Sequence, residues 1–128
     1  MSLEEAKVKK YVLVIDDDAS TAAFVQGALQ YHDFVDTLIA YDGQEGLELY
    51  KKFQPELVIT DIVMPKMNGI ELINSLQKEP RPPCIWAITG SCSISIMDDL
   101  KKLLEGQVIL KPFDFEDIDR LLRETFGN

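Results

Sequence analysis

Five short, largely apolar runs punctuate the chain: Tyr11–Ile15, Phe34–Ala40, Leu57–Thr60, Ile85–Thr89 and Val108–Leu110. They are rich in β-branched residues and too short for helices, so they read as strands. Between them lie amphipathic stretches that predict helices over about Ser20–Tyr31, Gln44–Phe53, Gly69–Gln77, Ile94–Glu105 and Asp114–Phe126. In the last, Ile118, Leu121, Leu122 and Phe126 recur at helical spacing behind Asp114, a suitable N-cap. Punctuation agrees: Asp42-Gly43 follows the second strand, Pro55 precedes the third, Glu79–Pro83 precedes the fourth, and Gly106 can end a helix. Apolar runs alternating with amphipathic helices predict an α/β domain, an open, doubly wound five-stranded parallel sheet buried on both faces.

In such a sheet, ligands bind beyond the carboxyl ends of the strands, near the point where strand order reverses. That rule turns the hydrophobic pattern into a list of candidates. Asp16, Asp17 and Asp18 follow the first run, Asp61 the third, and Lys111 the fifth, while Thr89 closes the fourth. Three like charges in succession after a buried segment are costly unless something positive faces them. Carboxylates from two strand ends are hard oxygen ligands of the kind Mg²⁺ prefers, and a hydroxyl and an ammonium on the same edge suit a phosphoryl group. Asp61, alone at a central strand end, is placed to act as a carboxylate nucleophile that forms an acyl phosphate.

Composition narrows the field. The 128 residues, 46% hydrophobic and 27% charged, suit one globular domain. Twenty-two acidic against 13 basic residues leave a net charge of −9, which disfavours direct nucleic-acid or anionic-lipid binding. Cys84 and Cys92 lack metal-ligand spacing, and His32 is the one histidine, so no zinc site or Ser/His or Cys/His catalytic pair is indicated. With no apolar run of spanning length and no secretory leader, no membrane insertion is expected. A cytoplasmic protein with reduced thiols and a polar arm at residues 1–10 is the expectation.

Taken singly, each candidate has a plainer reading. The aspartate triplet could cap a helix, Asp61 could begin a turn, Lys111 could be a solvated lysine, and Thr89-Gly90-Ser91 could be a loop. Their joint placement at strand ends favours the chemistry. Trp86 reads as core, Met64 and Met67 as packing residues around Pro65, and His32 as a surface residue.

The blocks "VLVIDDD", "LVITDIVMPKMNGIEL", "AITG" and "VILKPF", together with "AYDGQEGLEL", resemble the receiver domain of two-component response regulators in order and spacing. The resemblance, close to that of chemotaxis regulators, covers about residues 11–126 and implies a flavodoxin-like (βα)5 fold, with residues 11–127 as the receiver domain. It implies that Asp61 accepts phosphate from a sensor histidine kinase or histidine phosphotransfer protein. It also implies that Asp16, Asp17, Asp61 and the Val63 carbonyl hold Mg²⁺, with Asp17 the direct ligand of the first pair and Asp16 acting through water. Thr89 and Lys111 would then grip the phosphoryl group, Pro112 would follow a cis peptide, and Asp18 would be a solvated residue at the first helix N-terminus.

The output implied is a changed surface around the fourth helix, fifth strand and fifth helix, read by an effector protein or output domain. Homodimerisation through that surface is a family habit. Such a protein is a regulator that takes part in its own phosphorylation and dephosphorylation rather than a turnover enzyme. Three departures stand out. Val108 replaces the usual aromatic residue, Gly90 replaces a common alanine and leaves access to Asp61 open, and Gly46 replaces an alanine at a small cost in helix propensity. Two alternatives follow: a phosphorylation-independent interaction module, which Val108 favours, and a Mg²⁺-dependent aspartyl phosphohydrolase, which Val63, standing where such enzymes carry a second acid, disfavours.

Overall fold

The computed structural model describes residues 9–64, 66–90 and 93–127. Residues 1–8 of the expected arm over 1–10, together with Pro65, Ser91, Cys92 and Asn128, lie outside the described residues. Five strands alternate with five helices: β1 (Lys10–Ile15), α1 (Ala19–Gln30), β2 (Val35–Ala40), α2 (Gly43–Phe53), β3 (Leu57–Asp61), α3 (Gly69–Gln77), β4 (Cys84–Thr89), α4 (Ile94–Leu103), β5 (Val108–Leu110) and α5 (Phe115–Phe126). All strand pairs are parallel and the order is β2-β1-β3-β4-β5. Strand order therefore reverses between β1 and β3, and the crevice above that pair is where the carboxyl-end rule places a ligand.

Strand periodicity divides the apolar runs between two cores. Val12, Val14, Leu57, Ile59, Trp86 and Ile88 face α1 and α5, whereas Leu13, Ile15, Val58, Ile85 and Ala87 face α2, α3 and α4. This two-sided burial is why the strands read as continuous hydrophobic runs. Val12, Leu13, Leu57 and Val58 are fully buried, so a one-residue register slip would exchange side chains between two filled cores.

Observed boundaries differ from the expected ones by one or two residues. β1 starts at Lys10, whose N–H donates to the Phe34 carbonyl at 2.7 Å, and β2 starts at Val35. α4 ends at Leu103, followed by a turn in which Gly106 takes a left-handed φ of 85°. Asp114 caps α5 as expected and forms a reciprocal capping box with Asp117. Trp86 is core, its Nε1 donating to Thr125 Oγ1 at 3.1 Å. Cys84 is a free, half-buried thiol.

One expectation needs correction and one gains a second cause. His32 is not a plain surface residue: it is half-buried, and its Nε2 lies 2.6 Å from Asp119 Oδ1, joining the α1–β2 connection to α5. Gly46 is more than a weak helix former. A Cβ there would stand 2.5 Å from Ile15 Cδ1, the end of a buried side chain that would have to shift, so packing as well as helix propensity bears on this position.

Candidate functional site

The chain leaves β1 on the aspartate triplet, and each aspartate turns a different way. The Asp16 N–H extends the ladder by donating to the Ala40 carbonyl at 3.1 Å, which leaves its side chain buried over the sheet edge. Its Oδ1 accepts the Asp18 N–H at 2.9 Å, closing a tight turn. Asp17 is exposed. Asp18 is exposed too and caps α1, accepting from the Ser20 N–H at 3.1 Å and the Thr21 hydroxyl at 2.7 Å. Those bonds, the Thr21 hydroxyl first, hold the Asp18 carboxyl below the usual range.

Asp61 ends β3 as its last strand residue, 8% exposed. Its Oδ1 accepts the Ile62 N–H at 2.7 Å, and its Oδ2 accepts from Lys111 Nζ at 3.2 Å. Lys111 also reaches Asp16 Oδ2 at 3.4 Å, so one ammonium bridges two buried carboxylates from neighbouring strands. Carboxylate oxygens of Asp16, Asp17 and Asp61 all lie within 4.8 Å of one another. Burial pushes the Asp16 carboxyl up, the Asp18 N–H pulls it down, Asp61 adds repulsion and Lys111 attraction, and the net direction is upward. Burial also works against the Lys111 charge, but Asp16 and Asp61 outweigh it and hold the ammonium above its ordinary value.

The fourth and fifth strands complete the edge. Thr89 is fully buried, and among the described residues its Oγ1 has no hydrogen-bond partner. The Lys111 N–H donates to the Thr89 carbonyl at 2.8 Å, fixing the two residues side by side, and the Lys111-Pro112 peptide is cis. A Cβ on Gly90 would stand 3.6 Å from Lys111 Cβ, an ordinary contact, so glycine leaves a methyl-sized space beside the lysine stem. Val63, two residues past Asp61, exposes 65% of its surface, and its apolar side chain can offer no ligand atom. Only its main chain could serve a cation.

The edge therefore gathers three carboxylates against one ammonium, an excess of negative charge in a partly buried place. Hard carboxylate oxygens at this spacing match Mg²⁺, which needs a few such ligands and keeps water on its remaining positions. The donor set fits that ion better than zinc or copper, since no histidine or thiolate belongs to it. The orphaned Thr89 hydroxyl and the Lys111 ammonium supply donors for a tetrahedral oxyanion.

Asp16, Asp17, Asp61, Thr89 and Lys111 thus fall at one edge, Val63 lies on the loop that follows Asp61, and Asp18 turns away to cap α1. Two neighbouring features had been missed. A cavity of about 510 Å³ opens beside Lys111, lined by Ser20, Thr21, Phe24, Lys111, Pro112 and Phe113. Phe24 and Phe113 meet edge to face at 5.6 Å there, a long-range pairing that helix periodicity alone does not announce. The second is a tie between Asp42 and Lys66, whose charges are 3.3 Å apart across two loops.

Known proteins resemble the chain in sequence and fold. The family profile described as "Response regulator receiver domain" matches residues 12–123. A curated relative, "Probable transcriptional regulator ycf27" of Porphyridium aerugineum, is 32% identical over 91% of this chain and 48% of its own length. The chain thus spans about half of that relative. "Probable chemotaxis protein CheY" of Rhizobium etli is 28% identical over 99% of this chain and 98% of its own. Among solved structures, the chemotaxis response regulator CheY4 of Vibrio cholerae superposes with a TM-score of 0.80 at 26% identity, covering 92% of this chain and 99% of that one. No helix among the described residues is long and apolar enough to cross a membrane.

Proposed function

The chain belongs to the response regulator receiver domain family, whose function is phosphoryl acceptance in two-component signalling, and from that premise we propose that Asp61 is the acceptor. One observation carries the assignment: the Asp61 carboxylate is buried at a strand end, fixed by the Ile62 N–H and touched by Lys111. The donor is a phosphohistidine of a sensor kinase or phosphotransfer protein. A carboxylate oxygen of Asp61 forms a bond to phosphorus, the phosphorus–nitrogen bond breaks, and its electron pair leaves with the imidazole. The product is an acyl phosphate, and water later resets the site.

Residues of the chain do three things in this reaction. The Ile62 N–H orients the nucleophile by holding Asp61 Oδ1, which limits the search for an in-line geometry. Lys111 is held charged by Asp16 and Asp61, and its ammonium passes to the phosphoryl oxygens as they arrive. The Thr89 hydroxyl, without a partner among the described residues, gains one in the phosphorylated state. A donor that is unsatisfied before the event and satisfied after it supplies the differential binding that a switch needs. Asp16, Asp17, Asp61 and the Val63 carbonyl would hold Mg²⁺, which when bound offsets charge on the phosphoryl oxygens. The apolar cavity beside Lys111 offers the donor protein a foothold next to the acceptor.

Val108 shapes the output. It is half-buried and packs against the core shared with α2, α3 and α4, so no aromatic rotamer is available there to report a Thr89 movement. Thr89 pairs with Leu110 and Ala87 with Val108 across β4 and β5. We assign transmission to that strand pair and to the exposed Leu110 and Ile94 around it, facing an effector protein. The test is borohydride reduction of protein treated with acetyl phosphate and Mg²⁺, followed by peptide mapping. Conversion of residue 61 to homoserine is expected. Reduction at another aspartate would overturn the acceptor, and no reduction in a folded, Mg²⁺-binding protein would favour a phosphorylation-independent module.

A further inference from the structure

The loop that follows Asp61 is held from two sides. On its near side, Gly69 donates its N–H to the Ile62 carbonyl at 2.8 Å, and a Cβ on Gly69 would stand 2.6 Å from both the Asp61 carbonyl oxygen and Ile62 Cα. On its far side stands the β2–α2 junction. A Cβ on Gly43 would stand 2.3 Å from the Met67 carbonyl oxygen and 3.0 Å from Met67 Cβ, so the two backbones touch only because residue 43 is glycine. Next to it, Asp42 caps α2 by accepting the Glu45 N–H at 2.8 Å and receives Lys66 Nζ at 3.3 Å. Lys66 reaches it from a left-handed φ of 65°, a conformation that costs a non-glycine residue energy and needs support from its surroundings.

We propose that Asp42, Gly43 and Lys66 are positioning residues for the acceptor site, setting the place of the loop after Asp61 and through it the affinity for the divalent cation. This rests on the reading that Asp61 and the Val63 carbonyl belong to the cation site. Helix α2 begins at a fixed cap, so the junction is a rigid stop against which Met67 and Lys66 close. Met67 stands two residues before Gly69, whose backbone packs on the Asp61 carbonyl and holds the Ile62 carbonyl, so a displacement at Met67 is passed along that stretch to Asp61 and Ile62. None of the three residues makes a hydrogen bond or ion pair with Asp16, Asp61 or Lys111 among the described residues. Their influence runs through the loop backbone.

The experiment is Mg²⁺ titration of the whole chain by calorimetry, with amide exchange of the 62–68 loop measured without Mg²⁺. Lys66→Met is the discriminating variant. Removing a positive charge near an acidic site should by electrostatics alone tighten Mg²⁺, whereas loss of positioning weakens it. We expect binding about threefold weaker, the scale of one exposed ion pair, with faster exchange in the loop. Gly43→Ala should weaken binding by about tenfold, as when a support of a metal site is displaced. Asp42→Asn keeps the cap, so a folding failure in Gly43→Ala does not end the test. Unchanged or tighter Mg²⁺ binding in Lys66→Met, with unchanged loop exchange, overturns the proposal. Wild type that binds no Mg²⁺ would instead overturn the reading of the acceptor site on which it rests.

Discussion

The two ends of the sheet differ in how they hold buried charge and polar groups. Toward the amino ends, Trp86 Nε1 pairs with Thr125, Tyr50 with the Arg81 carbonyl and His32 with Asp119, and the Thr37 hydroxyl within β2 is the exception, without a partner among the described residues. At the carboxyl ends, Asp16 and Asp61 crowd each other, one lysine serves both, and the Thr89 hydroxyl lacks a partner among the described residues. Satisfied polar groups specify a packing, whereas unsatisfied ones are a standing cost that a ligand can relieve. The difference separates the end that holds the fold from the end proposed to take a phosphoryl group.

Removing the shared cation should expose that cost most. Lys111→Met leaves two buried carboxylates facing each other, and we expect a loss of about 3 kcal/mol in denaturant unfolding without Mg²⁺. Added Mg²⁺ should restore part of it, and a fully stable variant without Mg²⁺ would break the contrast. Next come two threonines given the same replacement. Thr125→Val orphans the Trp86 N–H and should cost about 1–2 kcal/mol, whereas Thr89→Val removes a hydroxyl with no partner among the described residues and should be neutral or stabilising by about 1 kcal/mol. Two destabilised variants would show that Thr89 is satisfied after all.

The smallest effects are in the pH profile. Asp16 is raised above its ordinary 3.8, so its ionisation costs the folded state, a cost absent below 3.8 and growing as pH rises through the folded value. Asp42 is lowered, chiefly by the Glu45 N–H, so its ionised form adds stability above 3.8 that is lost as pH falls through the folded value. Asp16→Asn should therefore raise Tm near about pH 7 and lose that advantage in acid, while Asp42→Asn should lower Tm slightly near about pH 7 and converge on wild type in acid. Matching profiles for the two would erase the distinction between the sheet's loaded edge and its helix caps.

Much of this was legible in the amino-acid pattern. Apolar runs buried on both faces announced a parallel sheet, and residues at their carboxyl ends named Asp16, Asp17, Asp61, Thr89 and Lys111 before any distance was known. Pairings between distant surface elements were not legible. His32 meets Asp119 across 87 positions, and Asp42 meets Lys66 across 24, contacts that no periodicity encodes. Gly46 shows the limit of local propensity, since what a Cβ there would meet is the Ile15 side chain on another element. The sharing of Lys111 between Asp16 and Asp61 likewise depends on strand order, which fixes β1 and β3 as neighbours.

The most direct test of the central claim is intact mass after incubation with acetyl phosphate, with and without Mg²⁺, for wild type and Asp61→Asn. A single phosphate-sized adduct that requires Mg²⁺ and is missing from Asp61→Asn is the expected result. An adduct that persists in Asp61→Asn would contradict the account, because the buried carboxylate beside Lys111 would then not be the acceptor.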